Sequence, residues 1–226
     1  MTNSNALDDR QQRFLCYSSH MLLTPIMIIA GYAQGIEKGV VVLKDGVDVI
    51  LDQCRRIAAL TNKMLEFSQL MEEVASIRLE EISLGKHVSS YLERYIFASG
   101  EKRISFSPDQ YDDDLVLASG DLLDLILDNL ISNAVRYARS RILVSICRSP
   151  RWITLTVADD GDGLSDQDFS QLFDLFYKGK DGLHGIGLAI AKQAAEAMGA
   201  EIEAANRPEG GAVFTLRLQR PDPTNS

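Results

Sequence analysis

Two runs of helical apolar periodicity near the N-terminus constrain this chain more than any other feature. From Phe14, the positions Leu15, Ser18, Leu22, Pro25, Ile29, Tyr32 and Ile36 alternate in steps of three and four, which is one face of a helix. After a mixed-charge connection with two glycines at residues 37–46, a heptad seam runs through Val47, Ile50, Cys54, Ile57, Thr61, Met64, Ser68 and Met71. Leu51, Ala58 and Leu65 widen it. That stripe is too broad for a two-helix contact and suits a four-helix core. One hairpin cannot bury it, so a symmetric pair of hairpins is the economical solution. Packing of both helices onto the rest of the same chain is the alternative.

After residue 73 the periodicity changes. Short β-like runs at 77–82, 103–107, 115–118, 142–148, 153–158, 200–205 and 212–217 are interleaved with helical patterns at 84–98, 121–138 and 187–198. Strands mixed with helices, with late strands joined through a Ser149-Pro150 turn, indicate an α/β sandwich. The expected organisation is α+β and multidomain. A disordered lead-in occupies 1–9, the helical hairpin 10–73, the sandwich domain 77–220 and a flexible tail 221–226.

Composition excludes several function classes. Thirty-two acidic against 23 basic residues give a formal net charge of −9, which works against nucleic acid or an anionic membrane as a partner. Three scattered cysteines, Cys16, Cys54 and Cys147, argue against a disulfide framework or a zinc site and fit a reducing, cytoplasmic setting. No apolar run reaches the ~18 residues of a membrane span, so no membrane contact is expected from this chain itself.

Three stretches of the second domain carry chemistry. Asn129 and Asn133 lie four apart in an apolar helix, so their amides share a face; their carbonyl oxygens suit a hard divalent cation. Alone, such a pair also reads as solvated helix surface. Arg136 and Tyr137 follow, offering a phosphate partner and a ring. Next, Asp159-Asp160-Gly161-Asp162-Gly163 closes an apolar strand, where a carboxylate can accept from an exocyclic amine and glycines admit a close backbone approach. A plain hairpin or a calcium-like loop has the same composition. Last, Gly182-Leu183-His184-Gly185-Ile186-Gly187-Leu188 opens a helix whose free N–H groups can meet phosphate oxygens. Between these lie Phe173, Phe176 and Tyr177 with Lys178 and Lys180, a composition that suits a mobile flap with cations.

Taken in that order, over residues 77–218, these motifs closely resemble the GHKL ATPase fold, specifically the ATP-binding domain of sensor histidine kinases. The resemblance implies ATP and Mg²⁺ as ligands. Asn129 and Asn133 would serve the metal and the phosphates, Arg136 a phosphate, and Asp159 the adenine amine, with Tyr137 bordering the base. Gly161 and Gly163 would shape that pocket; Gly185, Gly187 and Leu188, with Lys178, would lie at the phosphate end. Phe173-Asp174-Leu175-Phe176-Tyr177 resembles the family's phenylalanine box, with Leu175 where many relatives carry arginine.

The N-terminal hairpin is similar to the family's dimerisation and phosphotransfer domain, through Ser18-Ser19-His20-Met21-Leu22-Leu23-Thr24-Pro25 and on to Leu65-Glu66-Phe67-Ser68. At about 100° per residue, His20 falls almost opposite the Leu15–Leu22–Ile29 stripe and faces solvent. A neutral imidazole dominates near pH 7 for an ordinary pKa of ~6.5, leaving a nitrogen lone pair for a γ-phosphoryl group. Pro25 removes the donor to the Met21 carbonyl and permits a bend there. The family usually has an acidic residue directly after the histidine and often a basic one before Thr-Pro; this chain has Met21 and Leu23. A positioned base contributes ~10²–10⁴ in rate, so slowed autophosphorylation is expected. Thr24, four residues on and on the same face, would position water for phosphatase chemistry.

The resemblance thus implies a homodimeric, ATP-dependent protein-histidine kinase core that phosphorylates His20 and passes the group to an aspartate of a response-regulator receiver domain. A kinase-like regulatory module, binding nucleotide and docking a regulator without phosphorylating itself, is the alternative that Met21 and Leu23 favour. A chaperone or topoisomerase ATPase piece is opposed by the hairpin and His20. His87 and Trp152 read as a surface residue and a strand start, and His184 as loop decoration.

Overall fold

The amphipathic runs become two long helices, α1 (Thr2–Glu37) and α2 (Leu43–Glu73). The computed structural model describes residues 2–73, 77–96, 103–107, 115–177 and 185–221, with side chains from His20 onward except at 72–73 and 94–96. The chain divides into two compact units, Met1–Gln69 and Leu70–Ser226.

In the first unit α1 starts at Thr2, so residues 2–9 are its first turns and not a disordered lead-in. No glycine or proline interrupts positions 2–24, and adding residues to a nucleated helix costs little. Pro25 lies inside α1 without ending it. The connection is shorter than the expected 37–46, because α2 begins at Leu43 and takes in Gly46. A Cβ at Gly46 would come within 2.6 Å of Ile36 Cδ1, so a glycine there lets the two helices meet just past the turn.

The heptad stripe of α2 divides in two. Gly46, Gln53, Leu60 and Phe67 are buried and Ile50, Ile57, Met64 and Met71 half-buried, an a/d pattern shifted one residue from the expected centre. Val47, Leu51, Cys54, Ala58, Thr61, Leu65 and Ser68 are exposed. On α1 the expected face, Leu22, Pro25, Ile29, Tyr32 and Ile36, is the better-covered one, while Leu23, Ile26 and Met27 stand out in solvent.

The second unit opens with β1 (Glu80–Ser83), α3 (Leu84–Ile96), β2 (Arg103–Ser107), β3 (Leu115–Ala118) and α4 (Gly120–Tyr137). It continues with β4 (Arg141–Arg148), β5 (Trp152–Asp159), α5 (Asp166–Gln171), α6 (Gly187–Ala197), β6 (Glu201–Asn206) and β7 (Ala212–Gln219). A five-stranded sheet has the order β2-β4-β5-β7-β6, with β2 and β4 parallel and the other pairs antiparallel; β1 and β3 form a separate antiparallel pair. Alternation puts Ile142, Val144 and Ile146, then Ile153, Leu155 and Val157, then Phe214, Leu216 and Leu218 into one buried layer. Leu122, Leu123, Ile126, Leu127, Leu130, Ile131 and Ala134 form the buried stripe of α4. Ala189, Ala191, Ala194 and Ala195 keep α6 small enough to pack beside it. The expected tail begins at Pro221, and 222–226 lie outside the described residues. The expected domain boundary at 74–77 falls mostly outside them as well. Among the described residues, no helix is long and apolar enough to cross a membrane.

Candidate nucleotide site and phosphoacceptor

The centre of α4 carries the asparagine pair. Asn129 is only 4% exposed, and its Nδ2 donates to the Leu125 carbonyl at 2.7 Å, which fixes the amide plane. Oδ1 takes no hydrogen bond from the described residues and points at the first residue of α6, where a Cβ on Gly187 would sit 2.7 Å from it. The N-cap of α6, Ile186, has no capping side chain. An amide oxygen without a donor among the described residues therefore abuts a helix start with unsatisfied N–H groups and a partial positive charge, which is the chemistry a phosphate and its cation require. Asn133, one turn on, is half-buried, and Leu188 follows Gly187 in α6.

At the end of β5, Asp159 is 3% exposed. Its Oδ1 accepts from Gly161 N at 2.8 Å and from Ala212 N at 3.3 Å, while Oδ2 takes no hydrogen bond from the described residues. A carboxylate held by one oxygen, with the other open, can accept from an amine. Gly161 lies against the Tyr137 carbonyl, joining this loop to the end of α4, and Gly163 lies against the Asn206 amide. The Arg136 guanidinium carbon is 5.8 Å from the centre of the Tyr137 ring.

Asp160, which carries no motif role in the sequence, ties this loop to the turn between α4 and β4. Its Oδ1 accepts from three successive backbone amides, Arg139, Ser140 and Arg141, at 2.9, 3.0 and 3.0 Å; the Ser140 hydroxyl donates to Oδ2 at 2.8 Å. These bonds, the Ser140 amide foremost, hold its carboxyl far below the ordinary carboxylate range. Arg139 also pairs with Asp162. Spacing could not reveal the arrangement, because the partners are backbone groups 19 to 21 residues away.

The aromatic segment is anchored. Ser165 and Asp168 form a capping box at α5, and the Tyr177 hydroxyl donates to Asp168 Oδ1 at 2.9 Å. The Ser165 hydroxyl holds the Asp168 carboxyl low, and Asp168 in turn pushes the Tyr177 phenol up. Phe176 has φ +68°, and its N–H donates to the Gly185 carbonyl at 2.6 Å. Lys192 lies 5.5 Å from the centre of the Phe173 ring. Lys178, Lys180 and His184 lie outside the described residues. His87 is no plain surface residue: its Nε2 and Asp124 Oδ1 are 2.8 Å apart, and one turn along Tyr91 bonds Asp128, the neighbour of Asn129.

In the first unit, His20 is exposed on α1, as its position opposite the apolar stripe requires. Thr24 is exposed one turn later, and its hydroxyl donates weakly to the His20 carbonyl at 3.4 Å. Met21 is half-buried.

Comparison with known proteins bears on both units. The family model of the His Kinase A (phospho-acceptor) domain matches residues 10–73. The model of the histidine kinase-, DNA gyrase B- and HSP90-like ATPases matches 118–222. The chain belongs to the sensor histidine kinases. It is 27% identical over 235 aligned residues to the sensor protein SrrB of Staphylococcus aureus strain MRSA252, covering 98% of this kinase chain but 40% of that protein. The kinase chain therefore spans about 40% of the length of such curated relatives. Among solved structures, the Acinetobacter baumannii histidine kinase AdeS superposes with a TM-score of 0.70 at 22% identity, over 90% of this chain and 98% of that one. The histidine kinase ThkA in complex with the response regulator TrrA gives 0.73 at 20% identity, over 100% and 65%. Full-length ShkA in complex with AMPPNP gives 0.64 at 20% identity, over 93% and 46%. The kinase fold is thus a helical phosphoacceptor region followed by an α/β ATP-binding domain.

Proposed function

We propose that this chain is the autophosphorylating core of a two-component sensor. ATP is the phosphoryl donor, His20 the acceptor, and an aspartate of a response-regulator receiver domain the next recipient. The observation that carries the reading is the pair of open oxygens in one domain, Asp159 Oδ2 and Asn129 Oδ1, the second set against the uncapped start of α6. They suit the two ends of a nucleotide. The adenine amine would donate to Asp159 beside Tyr137, within the pocket shaped by Gly161 and Gly163. The phosphates would lie toward Gly185, Gly187, Leu188, Arg136 and Lys178. Asn129 and Asn133 are the residues that would hold Mg²⁺; their donor set is oxygen, which fits that ion. When bound, it would neutralise phosphate charge during transfer.

In the step itself a neutral His20 ring nitrogen forms a bond to the γ-phosphorus as the bond to the β–γ bridging oxygen breaks, ADP leaves, and the ring's other N–H loses its proton to solvent or base. The chain's contribution is positioning and charge neutralisation. The exposed Val47, Leu51 and Leu65 on α2 and Leu23, Ile26 and Met27 on α1 support burial against a second copy in a four-helix bundle. That ThkA was solved with a response regulator supports a receiver domain as partner. Cys54 and Cys147 are free thiols, in keeping with a cytoplasmic setting. Thr24 would support phosphatase action on the regulator.

The test is incubation with γ-labelled ATP. Base-stable, acid-labile label on the wild type and none on His20→Ala is the expected result; an unlabelled wild type that still binds ATP would establish the regulatory module that Met21 favours.

A further inference from the structure

The turn between β6 and β7 closes on the loop that follows β5 and grips it at both ends. At the far end, Asn206 Nδ2 donates to the Leu164 carbonyl and Oδ1 accepts the Leu164 N–H, each at 2.7 Å. At the near end, Arg207 Nη1 donates to the main-chain oxygen of Asp159 at 2.8 Å. Gly211 makes the closure possible, since it has φ +90° and a Cβ there would overlap the Asp159 carbonyl. Arg207 is 27% exposed, with Nη2 3.6 Å from the outward-facing Glu209. Asp159 is the last residue of β5, one beyond the final β5–β7 pair, Ala158–Val213.

We infer that Arg207 is a positioning residue for base recognition: by holding the Asp159 main-chain oxygen, it fixes the peptide plane from which the Asp159 carboxylate is aimed at the exocyclic amine of adenine. The inference rests on the reading of Asp159 as the amine's acceptor. The Asp159 carboxylate is tied through Oδ1 alone, so the direction of Oδ2 depends on the backbone that carries it. Without the guanidinium, the carbonyl at the strand end loses the Arg207 donor on its β7 side, and the pairing with Ile142 of β4 alone leaves that peptide less closely fixed. A fork of donors lets one side chain serve Asp159 and face Glu209 together; a lysine ammonium is a single point on a flexible stem and replaces this only in part.

The experiment compares, on the full chain, the affinities of ATP and of purine riboside triphosphate, which differs from ATP only in lacking the amine. In the wild type the ratio of the two dissociation constants should be about tenfold or more, as expected for a hydrogen bond to a charged acceptor. Arg207→Met should collapse it to within about twofold, with Arg207→Lys between the two. General loosening would weaken both ligands and leave the ratio standing, so a retained ratio in Arg207→Met overturns the inference even if its melting temperature falls. If Arg207→Met does not fold, Arg207→Lys decides, since it must lower the ratio. Asp159→Asn separates the two claims. A ratio unchanged there overturns the reading of Asp159 itself, whereas collapse in Asp159→Asn with persistence in the Arg207 variants overturns the positioning role alone.

Discussion

Asn129 in α4 and Gly187 at the start of α6 approach so closely that a single methyl on the glycine would stand 2.7 Å from Asn129 Oδ1. The amide cannot simply swing aside, because its nitrogen is bonded to Leu125. Gly187→Ala should therefore weaken ATP binding about tenfold or more. Alanine is the better helix former by about 1 kcal/mol, so α6 itself should not suffer. Calorimetric titration with ATP, beside a melting curve that moves by no more than a few degrees, checks this; unchanged affinity would mean that Asn129 takes no part in binding.

Met21 directly follows His20, where the resemblance to the family implies an acidic residue. Met21→Glu should raise the rate of His20 labelling by about tenfold or more, within the range a positioned base contributes. Initial rates with γ-labelled ATP, wild type against variant, measure it; equal rates would show that another group already takes the proton.

Asp160 makes the protein acid-sensitive in a defined direction. Its carboxyl titrates far below the ordinary range in the folded chain, chiefly because the Ser140 amide and its neighbours favour the charged form. A depressed group stabilises the fold fully above its unfolded value of ~3.9 and loses that contribution as pH falls toward the folded value. Asp160→Asn should cost about 1–2 kcal/mol at pH 7 through weakened charge-assisted bonds. The gap from wild type should shrink steadily below about pH 4. Urea unfolding followed by the emission of the single tryptophan, Trp152 in β5, reads both; a gap constant down to pH 2 would contradict the assignment.

The exposed half of the α2 stripe predicts the assembly. Leu51 and Leu65 are 47% and 55% exposed, and a charge at either should be tolerated by one chain but not by a buried seam. Leu51→Asp should turn a dimer into a monomer by light scattering, while Leu143→Asp on the sheet, also exposed at 41%, should leave the mass unchanged. A wild type that is itself monomeric would refute the four-helix reading.

Periodicity was a reliable guide wherever the partner surface was regular. β2 and β3 start and end as expected, and β7 starts at Ala212 as expected but runs two residues further; the first two helices, α4 and α6 lie within a few residues of the expected runs except at the start of α1. It failed where one residue's environment decided. Gly46 looks like a loop glycine but is a helix contact, because Ile36 fills the space of its absent side chain. The α2 seam was expected one residue off, since a broad apolar stripe does not state which edge meets its own chain.

The amino-acid order alone determined the two-part organisation, the kinds of side chain on each face, and the ordered set of asparagine, aspartate and glycine motifs, because these depend on spacing along one helix or one turn. Only the tertiary structure decided that Asp160 ties the turn between α4 and β4 to the loop after β5, that Asn129 keeps a free oxygen against α6, and that Arg207 reaches back to Asp159. Such contacts join groups tens of residues apart, several through backbone atoms that every residue possesses, so no local pattern can encode them.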